Sequence, residues 1–290
     1  MNTTNTTENV DPKQWIGRHE TVEDDITATP VKAMDATLDY AAREVTKGTP
    51  LPLLWHWLYF LPLYRQSTLS EDGHPVKGGF LPPVPLPRRM WAGSQLEFNA
   101  PIQVGDKVSR TSTIEGVSEK SGRTGKLVFV KVKHELFCNG AIKPAITEFH
   151  EIVYREAQNA ADTPPTPTLA PTEATWRRRI VADEAFLFRY SALTFNGHRI
   201  HYDRRYVTQV EGYPGLIVHG PLIATLLLDL LRREQPDAQV KSFRFKAIRP
   251  TFDLNPFSVQ AEPGADGKSI RLWASDHEGW LTMDATATLK

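Results

Sequence analysis

After position 219 apolar side chains stop alternating with polar ones and fill a helix from every side. Leu222, Ile223, Leu226, Leu227, Leu228, Leu230 and Leu231 are interrupted only by Ala224, Thr225 and Asp229. A helix apolar around nearly its whole circumference is a buried helix, and this one is too short to cross a bilayer. Gly220 launches it, Pro221 takes the first helical position, where its missing N–H costs nothing, and Arg232-Arg233 suits the negative end of its dipole. Beyond it the period changes to two. Phe243 and Phe245 alternate with Arg244 and Lys246, and apolar runs at 257–261, 270–274 and 280–289 are separated by Pro263-Gly-Ala-Asp-Gly and Asp276-His-Glu-Gly. Alternation bounded by Gly, Pro and Asp is the mark of hairpins. The pattern predicts a curved antiparallel sheet wrapped around one buried helix.

The same order occurs earlier in the chain. Residues 91–99, 106–119, 126–138 and 145–154 alternate as strands, with 121–125 as a turn. Two helical segments are predicted before them. Residues 31–45 place Ala33, Met34, Thr37, Leu38 and Ala41 opposite Lys32, Asp35, Asp39 and Arg43, a helix for the domain edge. The dense apolar run 53–61, stopped by Pro62, reads as the central helix of the first half. Residues 70–87 are a Gly- and Pro-rich loop with Arg88-Arg89 at its end. Residues 157–175, mostly Pro, Thr and Ala, have little to bury and read as a linker. The expected division is therefore 1–156, a linker at 157–175, and 176–290.

Charge and composition narrow the functions. Lys plus Arg equals Asp plus Glu at 34 each, so no net field recruits nucleic acid or an anionic membrane, and anion recognition has to be local. A single cysteine, Cys138, excludes an intrachain disulfide framework and a cysteine-built metal site. The first ten residues show neither a secretory nor a mitochondrial pattern, which makes the cytoplasm the expected compartment. The sequence leaves homo-oligomerisation open. A Gly-x-Ser-x-Gly elbow and a Gly-rich phosphate loop are both missing. A lone histidine in a loop is most often a satisfied hydrogen-bonding residue. His198 and His201 lack a third ligand at metal spacing, His219 reads as a capping or packing residue, and Arg199 either anchors its loop or touches a substrate.

Two stretches change that balance. Leu193-Thr194-Phe195-Asn196-Gly197-His198-Arg199-Ile200-His201 resembles the type 2 enoyl-CoA hydratase motif of the MaoC-like hydratase/dehydratase family, roughly Leu-Ser-Gly-Asp-x-Asn-Pro-Ile-His. Ile217-Val218-His219-Gly220 resembles that family's helix-launch segment. The variant from Tyr190 to Asp203 is most similar to the hydroxyacyl-thioester dehydratase type 2 branch. Leu53-Leu-Trp-His-Trp-Leu-Tyr-Phe-Leu-Pro and the run from Gly79 to Trp91 add to the match.

The resemblance implies an α+β double hotdog, each half a curved antiparallel sheet around a central helix, acting as a hydratase or dehydratase on a CoA thioester without metal or organic cofactor. It makes His201 the base that activates water and the Gly220 N–H the donor to the thioester oxygen. Asn196 stands where the family has Asp. An amide orients water but takes no proton, so His201 carries the proton alone. The implied substrate is a short branched dicarboxylic enoyl-CoA, mesaconyl-C4-CoA or itaconyl-CoA, giving citramalyl-CoA. Its free carboxylate is costly to bury unpaired, and Arg88, Arg89 and Arg199 are the cations expected to meet it. The alternatives are a dehydratase on fatty enoyl thioesters, an acyl-CoA thioesterase using Asp229, and a non-catalytic acyl-thioester binding subunit.

Overall fold

Among the described residues, alternation resolves into ten strands: β1 (His19–Asp25), β2 (Arg88–Phe98), β3 (Lys107–Gly122), β4 (Gly125–Cys138), β5 (Ile146–Arg155), β6 (Trp176–Ile180), β7 (Val240–Ala247), β8 (Phe257–Pro263), β9 (Ser269–Ser275) and β10 (Leu281–Leu289). The helices are α1 (Ala28–Thr37), α2 (Glu184–Thr194), α3 (Arg204–Gln209) and α4 (Gly220–Glu234). This computed structural model describes residues 11–122, 125–156 and 166–290. The N-terminal ten residues, the tip of the 121–125 turn and the first part of the expected linker lie outside the described residues.

One antiparallel sheet contains all ten strands in the order β1-β3-β4-β5-β2-β7-β10-β9-β8-β6. Reading inward from each edge gives one pattern twice, β1-β3-β4-β5-β2 and β6-β8-β9-β10-β7. This is the order of two hotdogs joined edge to edge. The joint is the β2–β7 pair, where Ser94 faces Phe245. A Cβ at Gly93 would stand 2.3 Å from the Phe245 carbonyl oxygen, so this close approach needs glycine.

In the second half the predicted buried helix is α4, with every residue from Leu222 to Leu231 buried. It packs on β6, β8, β9 and β10. Each leucine it removes from water contributes about 1.5–3 kcal/mol. The first half departs from expectation. Residues 53–61 form only the four-residue turn Trp55–Leu58. Leu54 (φ 68°) and Phe60 (φ 54°) take left-handed backbone that a helix interior excludes, and prolines stand at 52 and 62. The first helix is also shorter than the predicted 31–45: it begins at Ala28, ends at Thr37, and Asp39 turns the chain at φ 57°. Instead of lying at an edge it packs against α2 of the other half. Asp35, expected on its polar side, is buried and paired with Arg43 at 2.9 Å. Among the described residues no helix is long and apolar enough to cross a membrane.

Asp229 is the one charge on α4's buried stretch, and it is fully occupied. Its carboxylate accepts hydrogen bonds from Tyr40 (2.7 Å), Arg178 (2.8 Å), Arg232 (2.6 Å) and Arg233 (2.9 Å). A carboxylate enclosed in this way is a structural counter-ion, and it has no capacity left to activate a hydrolytic water. Asp229→Asn leaves three guanidinium groups without their anion and is expected to cost about 3–5 kcal/mol, measured by urea denaturation. Hydrogen bonds from Arg233 and Tyr40 outweigh burial and hold the Asp229 carboxyl below its ordinary value of 3.8. The stability it contributes is therefore present above that value and is lost as pH falls through the lower folded-state value. The variant should lack this acid-dependent component.

Candidate active site

The loop that presents the histidines is built by ordinary capping. Asp183 caps α2 by accepting from the Phe186 N–H at 2.8 Å, and Phe195, at φ 50°, ends that helix. Asn196 then accepts the His198 N–H on Oδ1 at 3.0 Å, closing a tight turn. Asp203 caps α3 and also holds Arg199 at 2.7 and 3.0 Å. Between these two fixed points the chain makes one short turn, Arg199–His201, which swings His201 inward to 8% exposure.

His201 Nδ1 lies 2.6 Å from the Ile217 carbonyl oxygen. A carbonyl only accepts, so Nδ1 carries the hydrogen and Nε2 holds the free lone pair. The Ile217 N–H in turn donates to the Ile200 carbonyl at 3.0 Å, so the histidine loop and the helix-launch segment are tied both ways. His219 stacks on His201 with ring centres 3.8 Å apart and planes 18° apart, while its Nε2 meets Ser191 Oγ at 2.8 Å. This is packing, since His219 stands at the N-cap without making a side-chain cap. Gly220 follows, in the first turn of α4, where the helix cannot satisfy its own N–H groups. A Cβ on Gly220 would meet nothing within 4 Å, so the space before that turn is open.

Burial dominates the electrostatics. It pushes His201 down to about 4, opposed by the Ile217 hydrogen bond, and holds His219 well below its ordinary value. At neutral pH the site therefore offers a neutral imidazole able to accept a proton, close to a helix start able to meet developing negative charge. Comparison with known proteins gives this geometry its family. A family model for hydroxyacyl-thioester dehydratase type 2 matches residues 54–253, well over half of the chain. The chain belongs to that family.

Mesaconyl-C(4)-CoA hydratase of Chloroflexus aurantiacus is 45% identical over 95% of this chain and 96% of its own length. Among solved structures, HtdX of Mycobacterium tuberculosis superposes with a TM-score of 0.64 at 20% identity, covering 93% of this chain and 99% of that one. A second M. tuberculosis protein, described as a double hotdog, has a TM-score of 0.59 at 13% identity, covering 95% and 96%. These two similarities establish the double hotdog fold. The family and the close relative make the chain a hydratase-type lyase.

Within this type 2 dehydratase, the structure separates the three candidate arginines. Successive strand residues point to opposite faces, and both arginines belong to β2, which begins at Arg88 rather than at the expected residue 91. Arg88 goes to Tyr213 Oη (3.3 Å) and the Glu211 carboxylate (3.8 Å). Arg199 is spent on Asp203 and on the Glu71 carbonyl, so of its two sequence readings it takes the role of loop anchor. Arg89 reaches the Tyr154 phenol, and its charge acts on His74, Lys77 and His198. Among the described residues it pairs with no carboxylate.

Sequence reasoning missed Asp72 and His74. The 70–87 loop crosses from the first half onto the histidine loop. The Arg199 N–H donates to the Asp72 carbonyl at 2.9 Å, and a Cβ on Gly73 would stand 1.9 Å from the Gly197 carbonyl oxygen. His74 and His198 rings lie 4.0 Å apart. The signal in the sequence was the short run Asp72-Gly-His74 inside the Gly- and Pro-rich loop. Asp72, His74 and His198 bring ligand atoms within 4.8 Å of one another. They do not suit a cation. Asp72 already accepts from His74 Nδ1 (2.8 Å), the His74 N–H (2.9 Å) and Ser70 Oγ (2.6 Å), and the charges of Arg89 and Lys77 act on the same cluster.

Asn196 spends its carbonyl on the turn, so its NH₂ is the group left for the expected role of orienting water. Replacing it by Asp puts a negative charge beside the imidazoles, which favours their charged form. The acid limb of the rate profile is therefore expected to move to higher pH in Asn196→Asp with little gain in maximal rate, as measured by kcat across pH.

Proposed function

We propose that the enzyme adds water reversibly to a short enoyl-CoA whose β-carbon carries a carboxylate, mesaconyl-C4-CoA or its isomer itaconyl-CoA, giving citramalyl-CoA. Water held at His201 Nε2 loses its proton to the imidazole as its oxygen bonds to the β-carbon. The π electrons move through the α-carbon to the thioester oxygen, where the helix-start N–H at Gly220 meets the enolate. The imidazolium then returns the proton to the α-carbon, so one water is added and the base is regenerated. This sequence favours mesaconyl-C4-CoA of the two, because its double bond is conjugated with the thioester and lets charge reach Gly220.

The observation that carries the carboxylate is Arg89, a guanidinium beside the histidine loop with no carboxylate of its own among the described residues. The 45% identity to mesaconyl-C(4)-CoA hydratase supports the same reading. The test compares mesaconyl-C4-CoA with crotonyl-CoA, which lacks only the carboxylate. A preference of about a hundredfold or more in kcat/KM is expected. Equal rates, or a preference for longer unbranched enoyl thioesters, would instead support a fatty hydroxyacyl-thioester dehydratase.

A further inference from the structure

Water addition at His201 and Gly220 leaves two partly buried histidines beside them without a task. His198 has its ring 5.5 Å from His201, and His74, brought from the first half, lies 4.0 Å beyond it. Asp72 takes the His74 Nδ1 hydrogen at 2.8 Å, which leaves Nε2 as the free nitrogen of that ring. The groups that face the pair are Asp72 and Lys77 on the same loop, Arg89 on β2, with Tyr154 of β5 behind it, and His201 on the catalytic loop.

The charges in this cluster do not balance. Arg89 and Lys77 are cationic and Asp72 is the single anion among these groups, already accepting three hydrogen bonds. Lys77 Nζ is directed to the Val84 and Leu86 carbonyls, leaving Arg89 as the cation of the cluster with no carboxylate partner among the described residues. Burial holds both histidines below their ordinary value, helped at His74 by the Arg89 charge and at His198 by its neighbours His74 and His201 and then by Arg89. The position of that anion follows from the chemistry. A carboxylate on the β-carbon is bonded to the atom that water attacks, and the water is one hydrogen bond from His201. Such a carboxylate falls about one imidazole width from His201, on the side where His198 stands with His74 against it.

We propose that His74 and His198, together with Arg89, form the receptor for a carboxylate borne on the reacting β-carbon, and that its arrival draws a proton onto the histidine pair. The inference rests on the substrate class proposed above, and it adds a specific chemical role for the first half.

Two non-reacting thioesters test this. Methylsuccinyl-C4-CoA carries the carboxylate, and isovaleryl-CoA has a methyl in its place. Calorimetric titration of the full-length protein at neutral pH, in buffers of different protonation enthalpy, should show proton uptake with the first thioester and none with the second. In folded His74→Gln and His198→Gln, checked by circular dichroism, uptake should fall and the ratio of the two affinities should shrink at least about tenfold. In Asp72→Asn, which keeps the acceptor but loses the charge, uptake should fall while the ratio changes less. Unchanged uptake and ratio in both histidine variants, with the ratio lost only in Arg89→Met, would overturn the histidine role and keep the substrate class. No discrimination by the wild-type protein would instead remove the substrate class itself. Binding abolished by a chelator and restored by zinc would make the cluster a metal site and overturn the proposal.

Discussion

His201→Ala is expected to lose about 10²–10⁴ in kcat while its thioester affinity changes little, because the imidazole acts mainly as water becomes a nucleophile. The case rests on its tautomer: the Ile217 carbonyl fixes the hydrogen on Nδ1, so Nε2 is the nitrogen free to accept. The stack on His219 makes the base rigid, and removing it costs packing as well as chemistry. The folded fraction of the variant should therefore be measured by circular dichroism beside the rate. The pH profile separates the two losses. A folded-state value near 4 means that His201 stays unprotonated down to that pH, so wild-type kcat/KM should hold as the solution is acidified and then fall through that region. The residual rate of the variant should not show this limb. A residual rate near wild type would place the base elsewhere.

Arg89→Met is the second large effect. A carboxylate buried without its cation costs on the order of 3–5 kcal/mol, which lowers kcat/KM for mesaconyl-C4-CoA by two to three orders of magnitude. Methionine keeps the unbranched apolar stem of arginine and removes its guanidinium, so packing of the stem is largely preserved. Crotonyl-CoA offers nothing for Arg89 to pair with, so the ratio of the two rates is the informative number. Arg88 and Arg199 already have carboxylate partners in the fold, and replacing them should leave that ratio unchanged. Equal weakening of both substrates in Arg89→Met would assign the guanidinium to the CoA phosphates.

What was legible in the sequence was governed by local physics. An all-round apolar run after Gly-Pro can only be a buried helix, and α4 is found there. Alternating segments became strands because one face of each is buried. The apolar run 53–61 has a helix's composition without its backbone, since Leu54 and Phe60 adopt left-handed φ under tertiary constraint. Two edge strands gave no usable pattern: β1 is exposed at six of its seven positions, and in β6 three consecutive arginines hide the inward Arg178 that meets Asp229.

The site divided in the same way. His201 and Gly220 were visible because they belong to continuous motifs. Asp72 and His74 were not, because more than a hundred residues separate them from the loop they complete, and only the fold brings them to His198. Arg89 was singled out with two neighbours that look alike in sequence; the alternation of β2 and the existing partners of Arg88 and Arg199 distinguish them.

The central claim is that this chain adds water across a carbon–carbon double bond of a thioester and does not cleave the thioester. The most direct measurement incubates the enzyme with mesaconyl-C4-CoA in isotopically labelled water, following enoyl-thioester absorbance and free thiol together and locating the label by mass spectrometry. The expected result is that absorbance falls to an equilibrium, no thiol is released, and one labelled oxygen is found in the hydroxyl of citramalyl-CoA. Release of CoA thiol with the label in a new carboxylate would contradict it.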